Sequence, residues 1–422
     1  ESKRQFQVLF WFLIYGALTG AVVSGLVFFI RFCSHFWAPA LPQELPVSWA
    51  LPDYSLSLGL ALSCAALVAG QILKRLDGGR THGPAHLILA IRQDKELDLR
   101  TGFLSVLLAM CNLSGGASVG AFGPCVNLGG LVVSVVRRGF SKLGVTSQVP
   151  RDVLLGAGTA AAVAALFSAP LGGVLFAFET ISRRITSVST TAFGAAALAG
   201  YLLAHDGFGL GSPLPDLSGA IQGSGDWPLS VAMTLALGLC TGGLSMLYMR
   251  AIVLMPKVVQ WTGLPLIWRP WVPALLLFAV SPWFSHLLGS GLGTSGLAMT
   301  GALSLGLVGV LLLTKLAITP ICMGFGFIGG VVSPAIFLGA MMGDLFQLAW
   351  PMLSTTPTPH FAIMAAAACV AGVIGAPWAS VLMLWEMTGS ISAALLSVLC
   401  VLAACSVSRK IFARSLFDWA LK

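Results

Sequence analysis

The chain has 422 residues, of which 57% are hydrophobic and 9% are charged, and its mean hydropathy is +0.92. This composition excludes a soluble globular domain, in which about a quarter of the residues are charged. Several long stretches, 270–314 among them, contain no Asp, Glu, Lys or Arg. Because one membrane span takes roughly 20 apolar residues, the composition predicts an all-helical, polytopic integral membrane protein.

Basic residues flank the first and the last apolar segments. Lys3 and Arg4 precede the run from Val8 to Ile30, and the last segment is followed by Arg409, Lys410, Arg414 and Lys422. Such residues favour the cytoplasmic side, so we interpret the formal net charge of +8 as a topology signal and not as nucleic-acid binding. Both termini are predicted to be cytoplasmic, in the cell (inner) membrane. The first run is long enough to span, so no cleavable signal peptide is predicted.

Histidine and cysteine are the candidate metal ligands of this sequence. His82 and His86 are four residues apart and could share a helix face, but two histidines alone make a weak site. The nine cysteines are scattered without a CxxC pair and are interpreted as small buried hydrophobes. No metalloprotease, Walker or nucleophile-elbow motif occurs. We predict no metal, no cofactor and no enzymatic activity.

Two apolar stretches carry the same Gly-x-x-x-Pro pattern, 210 residues apart. They are Gly120–Pro124 and Gly330–Pro334. Interrupted apolar segments at corresponding places in two halves are typical of midplane binding sites in transporters. Proline suits the first position of a helix, and glycine lets the chain turn into it. Each pattern therefore predicts a helix that starts inside the membrane and points its free N–H groups at an anion.

A second pair of elements follows in the same order. Ala169-Pro170 matches Ala376-Pro377, and Glu179 matches Glu386, each at an offset of 207 residues. Four elements in the same order indicate an internal repeat. We expect a first half at 1–205, an external linker at 206–228 and a second half at 229–422, because 206–228 contains only acidic charges with glycine, serine and proline.

These elements together resemble the CLC family of chloride channels and proton/chloride exchangers. Gly120–Pro124 is similar to its GREGP signature, and 329–334 to its GGIFAP signature; 168–176 and 376–388 are similar to its two proline-started elements. Lys315 lies where the family carries a basic residue. The resemblance implies a CLC-type inverted repeat with broken helices around a midplane anion site, a homodimer with one pore per subunit, and no cytoplasmic regulatory domain after residue 422.

The sequence departs from the family at both proton-carrying positions. The gating glutamate of GREGP is Phe122, its arginine is Ala121, and the inner proton glutamate is Thr180. Side chains without a titratable group cannot carry a proton, so proton exchange is not expected. Phe122 is interpreted either as an aromatic packed at a helix start or as a hydrophobic constriction in the anion path.

Other anion ligands are also altered. The pore tyrosine of the family aligns with Phe412, which has no hydroxyl. The family's anion-binding serine aligns with His82 or with Thr81, depending on which neighbouring residues are used to anchor the alignment. Backbone amides survive these changes. The resemblance assigns the central amides to Val331 and Val332 and the outer amides to Ala121 and Phe122. Fewer side-chain donors predict weak selectivity among monovalent anions.

We therefore expect a passive, proton-uncoupled anion channel with chloride as the default ion, which needs only the lipid bilayer and a second copy of itself. Two alternatives remain. In one, Phe122 plugs the pore and the protein does not conduct. In the other, the protein is a coupled transporter of another anion that uses Glu179, Glu386 or Lys315 as a charged partner.

Overall fold

The computed structural model describes residues 2–37, 55–142, 149–219, 227–353, 360–411 and 415–419, and within these ranges the chain is almost entirely helical. Pairing between strands is limited there to a single isolated bridge between Gly120 and Gly330. The all-α prediction is confirmed. The described residues form seventeen α-helices: α1 Ser2–His35, α2 Ser55–Arg75, α3 Pro84–Arg92, α4 Leu99–Ser114, α5 Phe122–Lys142, α6 Arg151–Phe167, α7 Pro170–Phe176, α8 Ser187–Leu202, α9 Trp227–Trp261, α10 Trp271–Val280, α11 Leu292–Met299, α12 Leu305–Gly324, α13 Val332–Ala349, α14 Phe361–Ile374, α15 Pro377–Thr388, α16 Ile391–Ile411 and α17 Leu416–Trp419.

Seven of the described helical segments are long and apolar enough to cross a membrane, which confirms a multi-pass membrane protein. They are Leu9–His35, Leu56–Arg75, Ser187–Gly207, Pro228–Trp261, Leu305–Gly324, Val332–Met352 and Ile391–Lys410. Shorter apolar helices lie between them, which is the pattern expected where helices begin or end inside the bilayer.

The helices of the two halves correspond one to one, α1–α8 with α9–α16. Small residues make the same contact in both halves. A Cβ on Gly16 or Gly20 of α1 would come within 3.0 Å of the backbone of α8, and one on Gly238 or Gly242 of α9 within 3.0 Å of the backbone of α16. Without a hydrophobic driving force between helices in lipid, such close backbone approach is the main source of packing energy.

The alanine-rich helices α6 and α14 form the centre of each half. Nearly every residue of α6 is buried, and all fourteen residues of α14 are buried. Small residues allow the neighbouring helix to approach closely: a Cβ on Gly129 of α5 would meet Gly158 of α6, and a Cβ on Gly339 of α13 would meet Ala365 of α14. These two central helices hold α5 and α13 in place, and thereby fix where those two helices begin.

Helices α7 and α8 each continue as a short π-helix, at Ala177–Ser182 and Leu203–Gly207. The second of these ends inside the predicted linker 206–228, and α9 begins at Trp227, also inside it. Residues 220–226 lie outside the described part of the chain.

Candidate functional site

The two Gly-x-x-x-Pro stretches meet at the centre of the molecule. The amide of Gly120 donates to the carbonyl of Gly330 over 2.8 Å, and the amide of Gly330 donates to the carbonyl of Gly120 over 2.5 Å. A Cβ on Gly330 would lie 2.6 Å from the amide nitrogen of Gly123, and one on Gly120 would lie 2.9 Å from the Gly330 oxygen. Only glycine fits at these two positions, and the bridge brings both helix starts to one point.

Helices α5 and α13 begin at Phe122 and Val332, two residues before the prolines. The expectation that proline occupies the first helical position is therefore wrong, since Pro124 and Pro334 are the third residues of their helices. The physical reason is that the first four N–H groups of a helix have no partner within it, so proline costs no hydrogen bond anywhere in that first turn. The amides of Ala121, Phe122, Val331 and Val332 thus lie at the two helix starts.

The side chain of Phe122 is fully buried in an aromatic cluster. Its ring stacks on Phe167 at a centroid distance of 5.8 Å and 21°, and meets Phe176 edge-on at 5.0 Å and 89°. These two rings come from the end of α6 and the end of α7, on either side of the Ala169-Pro170 break. Of the two interpretations of Phe122, packing at a helix start is observed; its relation to the anion path remains a proposal.

The loop before α3 brings a third helix start to the same region. The Cδ of Pro84, the first residue of α3, lies 3.6 Å from the position of a Cβ on Gly123. The amide of His82 donates to the Ser105 hydroxyl over 2.8 Å, which holds the loop on α4. Thr81 and His82 are both half-buried there.

His82 does not share a helix with His86, because α3 begins only at Pro84. The two rings nevertheless stack at a centroid distance of 4.5 Å, and the Gly83 amide donates to His86 Nδ1 over 3.4 Å. The nitrogen lone pairs of two stacked imidazoles lie in two nearly parallel planes, which is unfavourable for shared binding of one ion. Among the described residues no group of three or more potential ligands surrounds a possible metal position.

Glu179 of the first half caps a helix of the second half, and Glu386 of the second half caps a helix of the first. The Glu179 carboxylate accepts from the amides of Trp378 and Ala379 over 3.2 and 2.9 Å, at the start of α15. The Glu386 carboxylate accepts from Leu171 and Gly172 over 3.0 and 2.7 Å, at the start of α7. This exchange is two-fold symmetric, like the bridge at Gly120, and places a negative charge at each helix N-terminus.

The ammonium group of Lys315 in α12 is also bonded within the protein. Its ammonium donates to the carbonyls of Leu287 and Gly289, at 3.3 Å each, and lies 5.0 Å from the centre of the Phe337 ring. Gly291, at φ 77°, passes so close that a Cβ there would be 3.2 Å from the ammonium nitrogen. Lys315 therefore fastens the loop before α11 to α12 and α13.

Thr180 lies in the π-helical turn after α7 and is buried. Its hydroxyl donates to the carbonyl of Phe176 over 2.6 Å. The residue is thus tied to its own helix. Phe412 lies outside the described residues.

Three buried polar residues were missed in the sequence: two lie near the helix starts, and the third, Asp344, lies twelve residues along α13 from its start. The Tyr248 hydroxyl of α9 lies 3.5 Å from the carbonyl of Val331, and Asn112 Nδ2 donates to the carbonyl of Ile328 over 3.2 Å. Asp344 of α13 is fully buried, and neither of its carboxylate oxygens has a hydrogen-bond partner in the described part of the chain. The available signal was a single polar residue inside an apolar segment.

The fold and the paired helix starts define a membrane transport protein with an inverted repeat. A family model described as voltage gated chloride channel matches residues 64–409. The chain therefore belongs to this family, the CLC family, whose members are channels or transporters and not enzymes.

Individual relatives agree with this assignment. The chain is 27% identical over 300 residues to a ClcB-like chloride channel protein from Ralstonia nicotianae, covering 70% of this chain and 68% of that protein. It is 26% identical over 348 residues to the voltage-gated ClC-type chloride channel ClcB from Escherichia coli O157:H7, covering 78% of both. A solved structure described as a slow cyanobacterial Cl−/H+ antiporter superposes with a TM-score of 0.80 at 19% identity, over 98% of this chain and 97% of that chain. At that identity the likeness concerns the fold alone.

Proposed function

We propose that the protein is a passive, proton-uncoupled anion channel, with chloride as its default ion. The observation that carries this proposal is the chemistry of the two positions where exchangers hold glutamates. At one, Phe122 presents a buried hydrocarbon ring; at the other, the Thr180 hydroxyl is bonded to a backbone carbonyl. Neither side chain can take up and release a proton near neutral pH.

The anion is bound chiefly by backbone amides. Val331 and Val332 supply the central donors and Ala121 and Phe122 the outer ones, with Thr81 or His82 as a side-chain donor and Phe412 contributing no hydroxyl. Support comes from the helix starts, where first-turn N–H groups are free of intrahelical bonds and carry the positive end of the helix dipole. A site made of backbone dipoles distinguishes monovalent anions weakly.

The test of the backbone site is the variant Val331→Pro, which removes one N–H, against Val331→Ala, which keeps it. Chloride efflux from proteoliposomes should fall strongly in the proline variant and stay close to wild type in the alanine variant. The melting temperature of each purified variant shows whether the fold survives. Unchanged efflux in a folded Val331→Pro protein contradicts the proposed site.

A non-conducting protein is the second candidate, favoured by the burial of Phe122 between Phe167 and Phe176. Measurable efflux from purified protein in liposomes eliminates it. Because a plugged pore and a constricted pore place the same ring at the same point, only flux separates them.

Coupled transport is the third candidate, and the residues first considered for it are engaged elsewhere: Glu179 and Glu386 cap helices, and Lys315 binds carbonyls. The observation that favours it is Asp344, whose carboxyl group is buried and without a hydrogen-bond partner among the described residues. If protons move with the anion, Asp344→Asn should stop the proton movement.

We also propose that the protein is a homodimer in the cell (inner) membrane with both termini cytoplasmic, and that 206–228 links the two halves externally. All four amide positions belong to one chain, which supports one pore per subunit. The basic residues Arg409 and Lys410 at the end of α16 support the orientation.

A further inference from the structure

A small cavity lies at the far end of α5, away from the anion site. It has a volume of about 40 Å³ and is walled by the connection between α3 and α4, the second half of α5 and the first turns of α6. Since a helix rises about 1.5 Å per residue, Ser134 in its wall is roughly 18 Å along α5 from Phe122. The cavity is therefore separated from the start of α5 by more than half the length of that helix.

Four basic side chains and one acidic side chain line this cavity. The basic residues are Lys95, Arg137, Arg138 and Arg151. Glu96 contacts Arg138 at 2.8 Å and Arg151 at 3.8 Å, and Asp94 contacts Arg151 at 3.1 Å. In the described ranges no carboxylate forms an ion pair with Lys95 or Arg137. The cavity and its rim thus carry an excess of two positive charges.

The existing ion pairs do not close the cavity. Glu96 and Asp94 have exposed side chains, at 63% and 90%, and exposed ion pairs contribute about 0–1 kcal/mol or less. Arg138 Nη2 and Arg151 Nη1 also donate to the carbonyls of Leu97 and Asp94, over 3.2 and 2.6 Å, which holds the guanidinium groups at the cavity while their carboxylate partners remain exchangeable for another anion. Guanidinium groups bind phosphate oxygens with two parallel hydrogen bonds, which is their preferred geometry.

The remaining walls are apolar. Leu97, Val133, Leu154 and Leu155 form them. A volume of about 40 Å³ holds roughly three water-sized groups, which leaves room for the two non-bridging oxygens of a phospholipid's phosphodiester. An apolar wall beside a basic rim suits an anionic phospholipid, because its phosphate needs basic partners and its glycerol and acyl parts need an apolar neighbour.

We propose that this cavity is a binding site for a phosphate group, carried by an anionic phospholipid. The site is separate from the anion path and does not depend on the proposed function. Lys95 and Arg137 supply the charge that the protein leaves uncompensated, and Arg138 and Arg151 supply paired N–H donors.

The test compares wild type with Lys95→Gln/Arg137→Gln. The control Lys74→Gln/Arg75→Gln removes the same two charges from the exposed last turn of α2, outside the cavity. The detergent-solubilised full chain is offered equal amounts of phosphatidylglycerol and phosphatidylcholine, and the retained lipid is measured by native mass spectrometry. We expect wild type and control to prefer phosphatidylglycerol, and the double variant to lose about thirtyfold of that preference.

A second arm adds inorganic phosphate at constant ionic strength and follows lipid retention and melting temperature. Displacement of phosphatidylglycerol from wild type supports the phosphate group itself as the ligand. If phosphatidylglycerol is retained and inorganic phosphate does not displace it, the source of the bound phosphate group is the lipid headgroup. If no lipid is retained, but phosphate raises the melting temperature of wild type and control and not of the double variant, the cavity is a phosphate site. Its ligand is then free phosphate. Equal retention of both lipids without any effect of phosphate, or an equal loss in the control variant, overturns the proposal.

Discussion

Phe122 stands at the first residue of α5, with its backbone at the meeting point of the two signatures and its ring between Phe167 and Phe176. One residue thus joins two functions that differ in chemistry. Its amide is one of the outer donors in the proposed anion site, and its side chain is part of the core. The ring has no titratable group, so charge at this point comes from the backbone alone.

Shortening this side chain should separate its two functions. We expect Phe122→Ala to raise chloride efflux several-fold, because it removes a hydrophobic constriction, and to lower the free energy of unfolding by about 3–5 kcal/mol. The matched control is Phe193→Ala, which removes another fully buried ring, packed on Phe178 at 4.8 Å. The control should lose similar stability with unchanged efflux. Equal efflux in wild type and Phe122→Ala would place the ring outside the anion path.

The bridge between Gly120 and Gly330 leaves no room for one additional carbon atom at Gly330. Gly330→Ala would place a Cβ 2.6 Å from the Gly123 nitrogen, so we expect loss of efflux together with a large drop in melting temperature. Gly309→Ala in α12 is the control, because nothing lies within 4 Å of its Cβ position. Alanine is favoured over glycine within a helix by about 0.5–1 kcal/mol. A folded, conducting Gly330→Ala protein would show that the two helix starts can move apart.

The helix caps connect the halves at the scale of whole elements. Helix α7 begins on the carboxylate of Glu386 and α15 on that of Glu179, so each short helix receives its N-terminal charge from the other repeat. Two amides bond each carboxylate, and hydrogen bonds to charged groups contribute about 1.5–3 kcal/mol. This geometry gives both carboxylates backbone N–H partners at helix N-termini.

We expect Glu179→Ala and Glu386→Ala to destabilise the protein by similar amounts, about 3 kcal/mol each, because the two caps are symmetric. Glutamine at either position keeps one acceptor oxygen and should lose about half as much. Thermal unfolding in detergent measures the loss, and efflux with a pH electrode measures coupling. A Glu→Gln variant that alters proton movement while melting normally would assign the residue to transport instead.

The signatures, their repeat and the helical class could be predicted from the sequence, because glycine, proline and unbroken apolar runs act locally. The position of the helix starts was predicted two residues too late, since proline is tolerated throughout the free first turn. The partners of Glu179, Glu386 and Lys315 could not be predicted, because they lie on elements that only the packed fold brings near. The burial of Phe122 depends likewise on Phe167 and Phe176, which belong to other helices.

In the molecule as a whole, the two halves are related at each level: the bridge between Gly120 and Gly330 and the caps between α7 and α15 join the halves, and the glycine contact of α1 with α8 is repeated by α9 with α16. An inverted repeat of this kind places both broken helices at one central point. In the proposed function this point is an anion site built from backbone amides, while Glu179, Glu386 and Lys315 are engaged in contacts within the protein.

The central claim is that anions move without protons. Chloride efflux from proteoliposomes, driven with a potassium ionophore and recorded together with external pH, tests it most directly. We predict sustained chloride efflux with no accompanying proton movement. Proton movement in fixed proportion to chloride would contradict the account and direct attention to Asp344, the buried carboxyl group of α13.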